Sequence, residues 1–225
     1  MAIAAIIAAL VLFFRMDHIV VSGNRRYSTQ EVLKASGLEE GQNLYFLNKY
    51  AVKEMIFDQL PYVDEVAINR KLPDTLLIEV RECAAAAGIQ SEDGIWLISD
   101  QGKLLELTDR QPQGCPLVTG ETLIDPAPSR QMDMGEGAAY RVGVMLRIFE
   151  AAEERGMLAD INELRLNDDT AVSFRYLNRF DVRFPWPADV DYKMESLNAV
   201  VDYLEGNETG RIDLMTEGKA SFIPE

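Results

Sequence analysis

Side chains that could do chemistry are few and scattered in this chain. His18 is the only histidine, so any Ser-His-Asp, Cys-His or histidine-rich metal site would depend on it. We interpret it as a solvated residue at the start of a strand. The acidic pairs Glu153-Glu154 and Asp168-Asp169 fall on a predicted helix and a predicted turn, where carboxylates point into solvent rather than across a cleft. With no glycine-rich phosphate loop of the Walker type either, we predict a non-enzyme without catalytic residues, cofactor or metal.

The composition indicates an acidic globular protein of one or two domains. The 225 residues are 48% hydrophobic and carry a formal net charge of −15, which argues against a nucleic-acid surface and favours an exposed, soluble domain. Cys83 and Cys115 match no zinc or CxxC spacing. They could form one disulfide in an oxidising compartment, but we favour two buried free thiols, because free cysteine is among the most buried residue types.

An apolar run opens the chain: residues 1–14 have no charged or polar side chain, and Arg15 follows. As a helix it would cover about 21 Å of the roughly 30 Å hydrocarbon core. A signal peptide would need a basic region before the run and a small-residue cleavage site after it, and a core helix would need cover on every side. We therefore predict a membrane anchor over residues 1–15 whose first turns lie upstream of Met1. No basic residue precedes it to set the orientation, but the acidic remainder is expected to be the translocated part.

Alternating apolar residues predict a β-hairpin over residues 63–82. The proline turn at residues 72–74 would join its strands. Because strand side chains alternate with period two, one face of each strand is apolar. The positions concerned are Val66 and Ile68 on the first strand and Leu76, Ile78 and Val80 on the second.

Two capped helices are predicted upstream of this hairpin, after a short strand at residues 18–22 that Gly23-Asn24 ends. Ser28 and Glu31 form a capping box for the first helix, which Gly37 ends. Asn48 can cap the second helix, which ends before Pro61. The inward positions are expected to be Val32, Leu33, Val52, Met55, Ile56 and Leu60.

The resulting order, β-α-α-β-β, resembles a POTRA domain, and specifically that of the FtsQ/DivIB cell-division proteins. The resemblance covers about residues 17–83, so we predict a POTRA domain over residues 16–83. The run at residues 83–87 departs from the family, which usually has a basic residue and a proline there. The motifs that carry the resemblance are Val20-x-Ser22-Gly23-Asn24, Ser28-x-x-Glu31, Gly41-x-Asn43-Leu44, Leu60-Pro61-x-Val63 and Arg70-x-Leu72-Pro73-x-Thr75-Leu76-x-Ile78-x-Val80-x-Glu82.

A second α/β domain with a mostly antiparallel sheet is predicted over residues 84–225, which makes the fold class α+β. A flexible loop is expected at residues 121–139, and Lys193 and Asp213 resemble the end of the FtsQ/DivIB extracytoplasmic domain. Helices are predicted over 142–156 and 192–206. Strands are predicted over 94–99, 103–107, 116–120, 164–166, 170–177, 180–184, 210–214 and 218–223.

The last predicted strand is expected to form a sheet edge, where unpaired backbone groups can accept a strand from another chain. In the FtsQ/DivIB family this region docks the small membrane proteins FtsB (DivIC) and FtsL. The resemblance thus implies a partner-binding site at Thr216, Gly218, Lys219, Ala220, Ser221 and Phe222. Alternatively, Phe222 and Ile223 pack into the core and Lys219 only discourages uncontrolled pairing. Trp96 and Trp186 are expected to be core or rim residues.

Together these features predict a single-pass protein of the cell membrane at the division septum, with its C-terminal domains extracytoplasmic. It would act as a divisome scaffold that binds FtsB/DivIC-like and FtsL-like partners, with no nucleic-acid or small-molecule ligand. The alternative is a POTRA-containing chaperone or a secretion or outer-membrane assembly component. Such proteins usually carry several POTRA repeats or a β-barrel, and the sequence shows neither.

Overall fold

A computed structural model describes residues 13–225, which form two compact units that divide between Ala84 and Ala85. Each unit has its own hydrophobic core. The anchor predicted over residues 1–15 falls outside the described residues except for its last three. Between residues 13 and 225, no helix is both long enough and apolar enough to cross a membrane.

The first unit is a three-stranded sheet with two helices, in the predicted order β-α-α-β-β. The strands lie in the order β1-β3-β2, with β1 parallel and β2 antiparallel to β3, so the predicted hairpin is confirmed. The elements are β1 (His18–Ser22), α1 (Thr29–Ser36), α2 (Lys49–Gln59), β2 (Val63–Lys71) and β3 (Thr75–Glu82).

The local sequence explains these elements. All five apolar positions predicted on the inner face of the hairpin are buried. The capping box is present, with the Ser28 hydroxyl accepting the Glu31 N–H at 3.2 Å and the Glu31 carboxylate accepting the Ser28 N–H at 2.8 Å. Gly37 ends α1 with a φ of 62°, and Asn48 caps α2.

Two of the predicted inward positions are wrong. Leu33 is half-buried and Met55 is exposed, because each lies about 100° around its helix from a residue that does face the core. Those core residues are Val32 on α1 and Ile56 on α2. Met55 instead covers the end of α1, since a Cβ at Gly37 would lie 3.2 Å from the Met55 sulfur.

Residues 14–16, near the start of the described chain, pack onto this unit. Residues 14–16 run antiparallel to the loop at residues 41–44, where the Met16 N–H donates to the Gln42 carbonyl at 2.8 Å and the Leu44 N–H donates to the Phe14 carbonyl at 2.9 Å. Phe14 and Arg15, the last two residues of the predicted anchor, thus pair with this loop in the described structure.

Glu82 joins the end of β3 to the turn between β1 and α1. Its carboxylate accepts the backbone N–H groups of Arg25, Arg26 and Tyr27 at 3.0, 2.7 and 3.1 Å. Partial burial would raise the pKa of Glu82, but these three hydrogen bonds and the Arg26 charge hold it below its ordinary value. The ionised carboxylate thus stabilises the end of the unit at which the chain leaves it.

The second unit is a nine-stranded sheet in the order β12-β11-β10-β9-β8-β7-β4-β5-β6. Five of the eight strand pairings in this sheet are antiparallel, so the prediction of a mostly antiparallel sheet is confirmed. The strands are β4 (Ala87–Ser91), β5 (Gly94–Ile98), β6 (Leu104–Thr108), β7 (Leu117–Thr119), β8 (Ile161–Arg165), β9 (Ala171–Tyr176), β10 (Phe180–Pro185), β11 (Gly210–Asp213) and β12 (Ser221–Pro224).

Helices α3 (Ala139–Glu154) and α4 (Val190–Tyr203) pack on one face of this sheet. Alternate strand residues, such as Phe174, Val182 and Phe184, are buried beneath them. The opposite face carries cross-strand ion pairs. The Asp181 carboxylate lies 2.9 Å from the Arg165 guanidinium and 3.0 Å from that of Arg175.

Three features of the second unit differ from the sequence-based expectations. Strand β4 was not predicted. The loop at residues 121–139, expected to be flexible, buries Leu123, Met132 and Met134 and ends in a 3-10 helix, Glu136–Ala138. The last strand starts at Ser221 rather than at residue 218, because Gly218 has a φ of 66° and lies in a turn.

Candidate functional site

The last strand forms one edge of the nine-stranded sheet. Strand β12 pairs antiparallel with β11, and no other strand of the described chain pairs with it, so its second edge is open. The position of this strand at a sheet edge was predicted correctly.

Strand alternation determines which backbone groups face the open edge. The Glu225 N–H donates to the Thr209 carbonyl at 3.1 Å. In an antiparallel ladder the direction of the backbone N–H and C=O groups alternates from one residue to the next. The backbone groups of Ser221 and Ile223 therefore also point to β11, whereas those of Phe222 and Pro224 point to the open edge. Because proline has no N–H, Pro224 presents only its carbonyl to the open edge.

Ala220 continues this outward set by one residue. The observed register ends with Asp213 opposite Ser221, and its continuation places Ala220 opposite Leu214. Leu214 directs its own N–H to the Arg183 carbonyl at 2.8 Å. The Leu214 carbonyl accepts the Lys193 ammonium. Both backbone groups of Leu214 therefore have partners other than Ala220, which leaves the amide of Ala220 directed to the open side.

Gly210 permits this pairing. It has a φ of 151°, and a Cβ at this position would lie 2.2 Å from the Ile223 carbonyl oxygen. Any other residue would push β12 away from β11.

The two large apolar side chains of β12 have different surroundings. Phe222 is half-buried and packs against the core, with its ring 6.0 Å from that of Phe180 in an edge-to-face arrangement. Ile223 is 51% exposed. The alternative that both pack into the core therefore fits Phe222 alone.

A groove of about 430 Å³ lies between α4 and the segment that leads into β12. Its helix side carries residues at three- and four-residue spacing, of which Tyr203 is almost fully exposed. The lining residues are Tyr192, Lys193, Ser196, Ala199, Val200, Tyr203 and Leu204 on the helix side and Leu214, Gly218, Lys219, Ala220 and Phe222 on the strand side.

Lys193 fixes the strand side of the groove. The side chain is only 5% exposed, and its ammonium donates to the carbonyls of Leu214 at 2.6 Å and Thr216 at 3.4 Å. The carboxylate of Asp213 accepts the Met215 N–H at 2.9 Å. The two residues singled out by family resemblance thus hold the turn between β11 and β12.

The structure brings most of the predicted site residues together. Gly218, Lys219, Ala220 and Phe222 line the groove, whereas Thr216 and Ser221 do not. The helix side was not predicted as part of the site, because the apolar spacing over 192–206 was interpreted only as evidence for a helix. A signal for it is the helix face that Tyr192, Ser196, Ala199 and Tyr203 share at three- and four-residue spacing.

The reactive residue types are not among the residues that line this groove. His18 is exposed at the start of β1. Cys83 and Cys115 are not joined in a disulfide, and both are half-buried, so they are less buried than predicted. Partial burial raises the pKa of the Cys115 thiol. Trp96 and Trp186 are buried as expected. Within residues 13–225, no three His, Cys, Asp or Glu side chains are grouped to hold a metal ion.

Comparisons with known families match both units. Residues 14–82 match the family described as POTRA domain, FtsQ-type, and residues 87–215 match the family described as Cell division protein FtsQ/DivIB, C-terminal. The second match ends at Met215, so the segment with the predicted site residues lies beyond it.

Related proteins agree with these matches. Cell division protein FtsQ of Corynebacterium glutamicum is 28% identical over 168 residues, which is 73% of this chain and 75% of that protein. FtsQ of Syntrophotalea carbinolica is 25% identical over 224 residues, covering 89% of this chain and 73% of the relative. Cell division protein DivIB of Clostridium acetobutylicum is 35% identical over 95 residues, covering 42% and 38%.

A POTRA-type unit followed by a sheet-rich domain of this kind defines a class of bacterial cell-division protein. Within that class, the chain belongs to the FtsQ/DivIB family.

Proposed function

We propose that this chain is a scaffold of the bacterial divisome that captures FtsB/DivIC-like and FtsL-like membrane proteins. An anchor over residues 1–15 holds it to the cell membrane, and the units at residues 16–83 and 84–225 lie outside the cytoplasm at the division septum. The observation that carries the proposal is the open edge of β12 beside an apolar groove, in a chain of the FtsQ/DivIB family.

Capture uses strand addition together with groove binding. An extended partner segment pairs with the outward backbone groups of Ala220 and Phe222, which gives a register but little sequence selectivity. A neighbouring helical segment of the partner places apolar side chains against Val200, Tyr203 and Leu204 in the groove, in the manner of helix-in-groove recognition. Tyr203 is the residue best placed to gain contacts, since it is 93% exposed without a partner.

Lys219 sets the selectivity of the edge. It is exposed beside the outward-facing backbone, and an edge lysine disfavours pairing with unrelated strands and with a second copy of the chain. A carboxylate on the correct partner would offset the repulsion by pairing with this ammonium group. Lys219 therefore restricts pairing to a partner of suitable charge.

The proposal is tested by removing one outward N–H. In Ala220→Pro the amide donor at the open edge is lost, whereas Ala220→Ser keeps it at the same position. We expect the proline variant to bind the extracytoplasmic segments of the FtsB-like and FtsL-like proteins of the same bacterium at least about tenfold more weakly, or about 1.4 kcal/mol. The serine variant should bind as the parent does. Isothermal titration with the full chain in detergent measures both.

Tyr203→Ala tests the groove in the same assay, and its exposure means that folding is unaffected. Gly218→Asp and Phe222→Glu extend the test along the strand side. Equal affinities for Ala220→Pro and Ala220→Ser, with unchanged thermal unfolding, would exclude strand addition at this edge.

A further inference from the structure

The first unit has an aromatic surface at the end where the described chain begins. We name this the proximal end and define it by residues 13–16, 41–50 and 70–74. Four aromatic side chains are exposed there by half or more of their surface, an unusual concentration for a soluble face. They are Phe13 (68%), Tyr45 (50%), Phe46 (71%) and Tyr50 (81%).

The backbone of the proximal end is fixed even though its rings are exposed. The Arg70 guanidinium donates to the carbonyls of Tyr45 at 3.4 Å and Leu47 at 3.0 Å. The Asn43 side chain accepts the Tyr45 N–H at 2.8 Å. The Phe14 ring lies 4.9 Å from that of Tyr45. The loop thus displays its rings from a rigid frame, so their exposure does not come from a poorly packed segment.

Positively charged side chains lie beside these rings. The Arg70 guanidinium donates to the Leu47 carbonyl at 3.0 Å, and the Lys49 ammonium donates to the Ile68 carbonyl at 2.6 Å. Burial and repulsion from Arg70 and Lys53 lower the pKa of Lys49. The charge of the two units is also uneven. Up to Ala84 the chain has nine Lys and Arg against eleven Asp and Glu, whereas the rest has 13 against 26. Almost all of the net charge of −15 therefore belongs to the second unit.

The course of the chain shows that the apolar run joins the first unit at its proximal end. Residues 1–12 are entirely apolar, and they lead directly into Phe13. The Asp17 and His18 N–H groups donate to the Asp74 carbonyl at 2.9 and 3.2 Å, so β1 starts at the proximal end. Strand β3 also starts there and runs to Glu82 at the opposite end, where the chain leaves the unit. The aromatic surface and the apolar run are consequently neighbours.

We propose that the proximal end contacts a phospholipid bilayer, with Phe13, Tyr45, Phe46 and Tyr50 at the boundary between headgroups and acyl chains. Tyrosine rings, which have a polar tip, partition to this depth, and phenylalanine rings add apolar contact. Arg70 is exposed and Lys49 is partly exposed beside them, so both approach lipid phosphates in this arrangement, and anionic headgroups strengthen the attraction. A bilayer is the occupant that the apolar sequence favours: the inference rests on the anchor of the proposed function, which would enter the membrane beside this surface. The contact does not depend on partner capture at β12.

Depth-dependent fluorescence quenching tests this contact. The full chain is reconstituted into vesicles of equimolar phosphatidylcholine and phosphatidylglycerol, with bromine placed on the acyl chains either near the headgroup or near the chain end. Phe46→Trp and Tyr50→Trp are the probes. Arg25→Trp, in the exposed turn at the opposite end of the unit, is the matched control. The parent corrects for the buried Trp96 and Trp186.

We expect both proximal probes to be quenched at least about twofold more by bromine near the headgroup than by bromine near the chain end, with blue-shifted emission. The control probe should show neither effect. Emission of both proximal probes that matches the control in these partner-free vesicles, with unchanged circular dichroism, would overturn the proposal and assign the aromatic surface to a protein partner. Because the two probes occupy different elements, misfolding of one variant leaves the other as the test.

Discussion

A single buried ammonium group fixes the turn that leads into the terminal strand. Lys193 extends from α4 to the carbonyls of Leu214 and Thr216. Lysine is rarely buried, so its presence here indicates that the positions of these carbonyls matter. Each hydrogen bond from a charged donor stabilises a fold by about 1.5–3 kcal/mol, and a buried carbonyl left without a donor is costly.

Replacing this lysine should loosen the edge. For Lys193→Met we expect the free energy of unfolding of the second unit to fall by about 1–3 kcal/mol. Amide exchange in residues 214–222 should accelerate. Urea denaturation and hydrogen exchange measure the two effects.

Lys219→Met is the matched control for this prediction, because Lys219 is exposed. Its effect should stay within about 0.5 kcal/mol. Equal losses for the two variants would mean that the Lys193 ammonium adds nothing to the turn.

At the scale of the element, the open edge exists because β11 starts with a glycine. A Cβ at Gly210 would overlap the Ile223 carbonyl, so β12 could no longer lie against β11. For Gly210→Ala we expect at least about tenfold faster amide exchange at Ser221 and Ile223, whose N–H groups face β11, and a similar loss of partner affinity, or about 1.4 kcal/mol each.

Gly206→Ala serves as the control, since a Cβ there meets no atom within 4 Å. It should leave both exchange and affinity unchanged. Amide protection of Ser221 and Ile223 that survives in Gly210→Ala would show that β12 does not need this close approach.

Local signals made much of the fold predictable. The hairpin of β2 and β3, the Ser28 capping box and the end of α1 at Gly37 depend on residues a few positions apart. Elements that depend on distant neighbours were not predictable. Strand β4 is rich in small residues of low β propensity, and it needs Gly88 because a Cβ there would lie 2.5 Å from the Ile95 side chain.

The candidate site was predictable on one side only. The terminal edge followed from the order of strands along the sequence. The α4 side of the groove was not predicted. Val200 and Leu204 share the helical spacing of Leu197, and only tertiary packing leaves the first two partly exposed while it buries Leu197.

At the scale of the whole molecule, the two units have hydrophobic cores that share no residue among those described. Their charges also differ, with the first unit nearly neutral and the second strongly acidic. We therefore expect a change in one core to leave the stability of the other unchanged.

Glu82→Gln tests this independence. The folded-state pKa of Glu82 lies below the ordinary value of 4.5, so its stabilising effect is complete above that value and is lost as the pH falls through and below it. At neutral pH we expect the variant to lose about 1–3 kcal/mol in the first unit. The difference from the parent should shrink in acid.

Hydrogen exchange measured residue by residue tests this prediction. The exchange rates should change only in the residues up to Ala84. Glu79→Gln is the control, because Glu79 is exposed on the same strand. Faster exchange throughout residues 85–225 in Glu82→Gln would show that the units unfold together.

The shortness of the open edge determines how a partner is chosen. Only Ala220 and Phe222 direct an N–H outward before Pro224, which has none. Hydrogen bonds of this kind contribute about 0.5–1.5 kcal/mol each, whereas association costs at least about 4 kcal/mol in lost freedom of motion. A protein that offers only a strand to the edge therefore dissociates, and so does a protein that offers only an apolar helix to the groove. Only a protein that carries both segments, correctly spaced, is retained, so the distance between two weak contacts becomes the feature that is recognised.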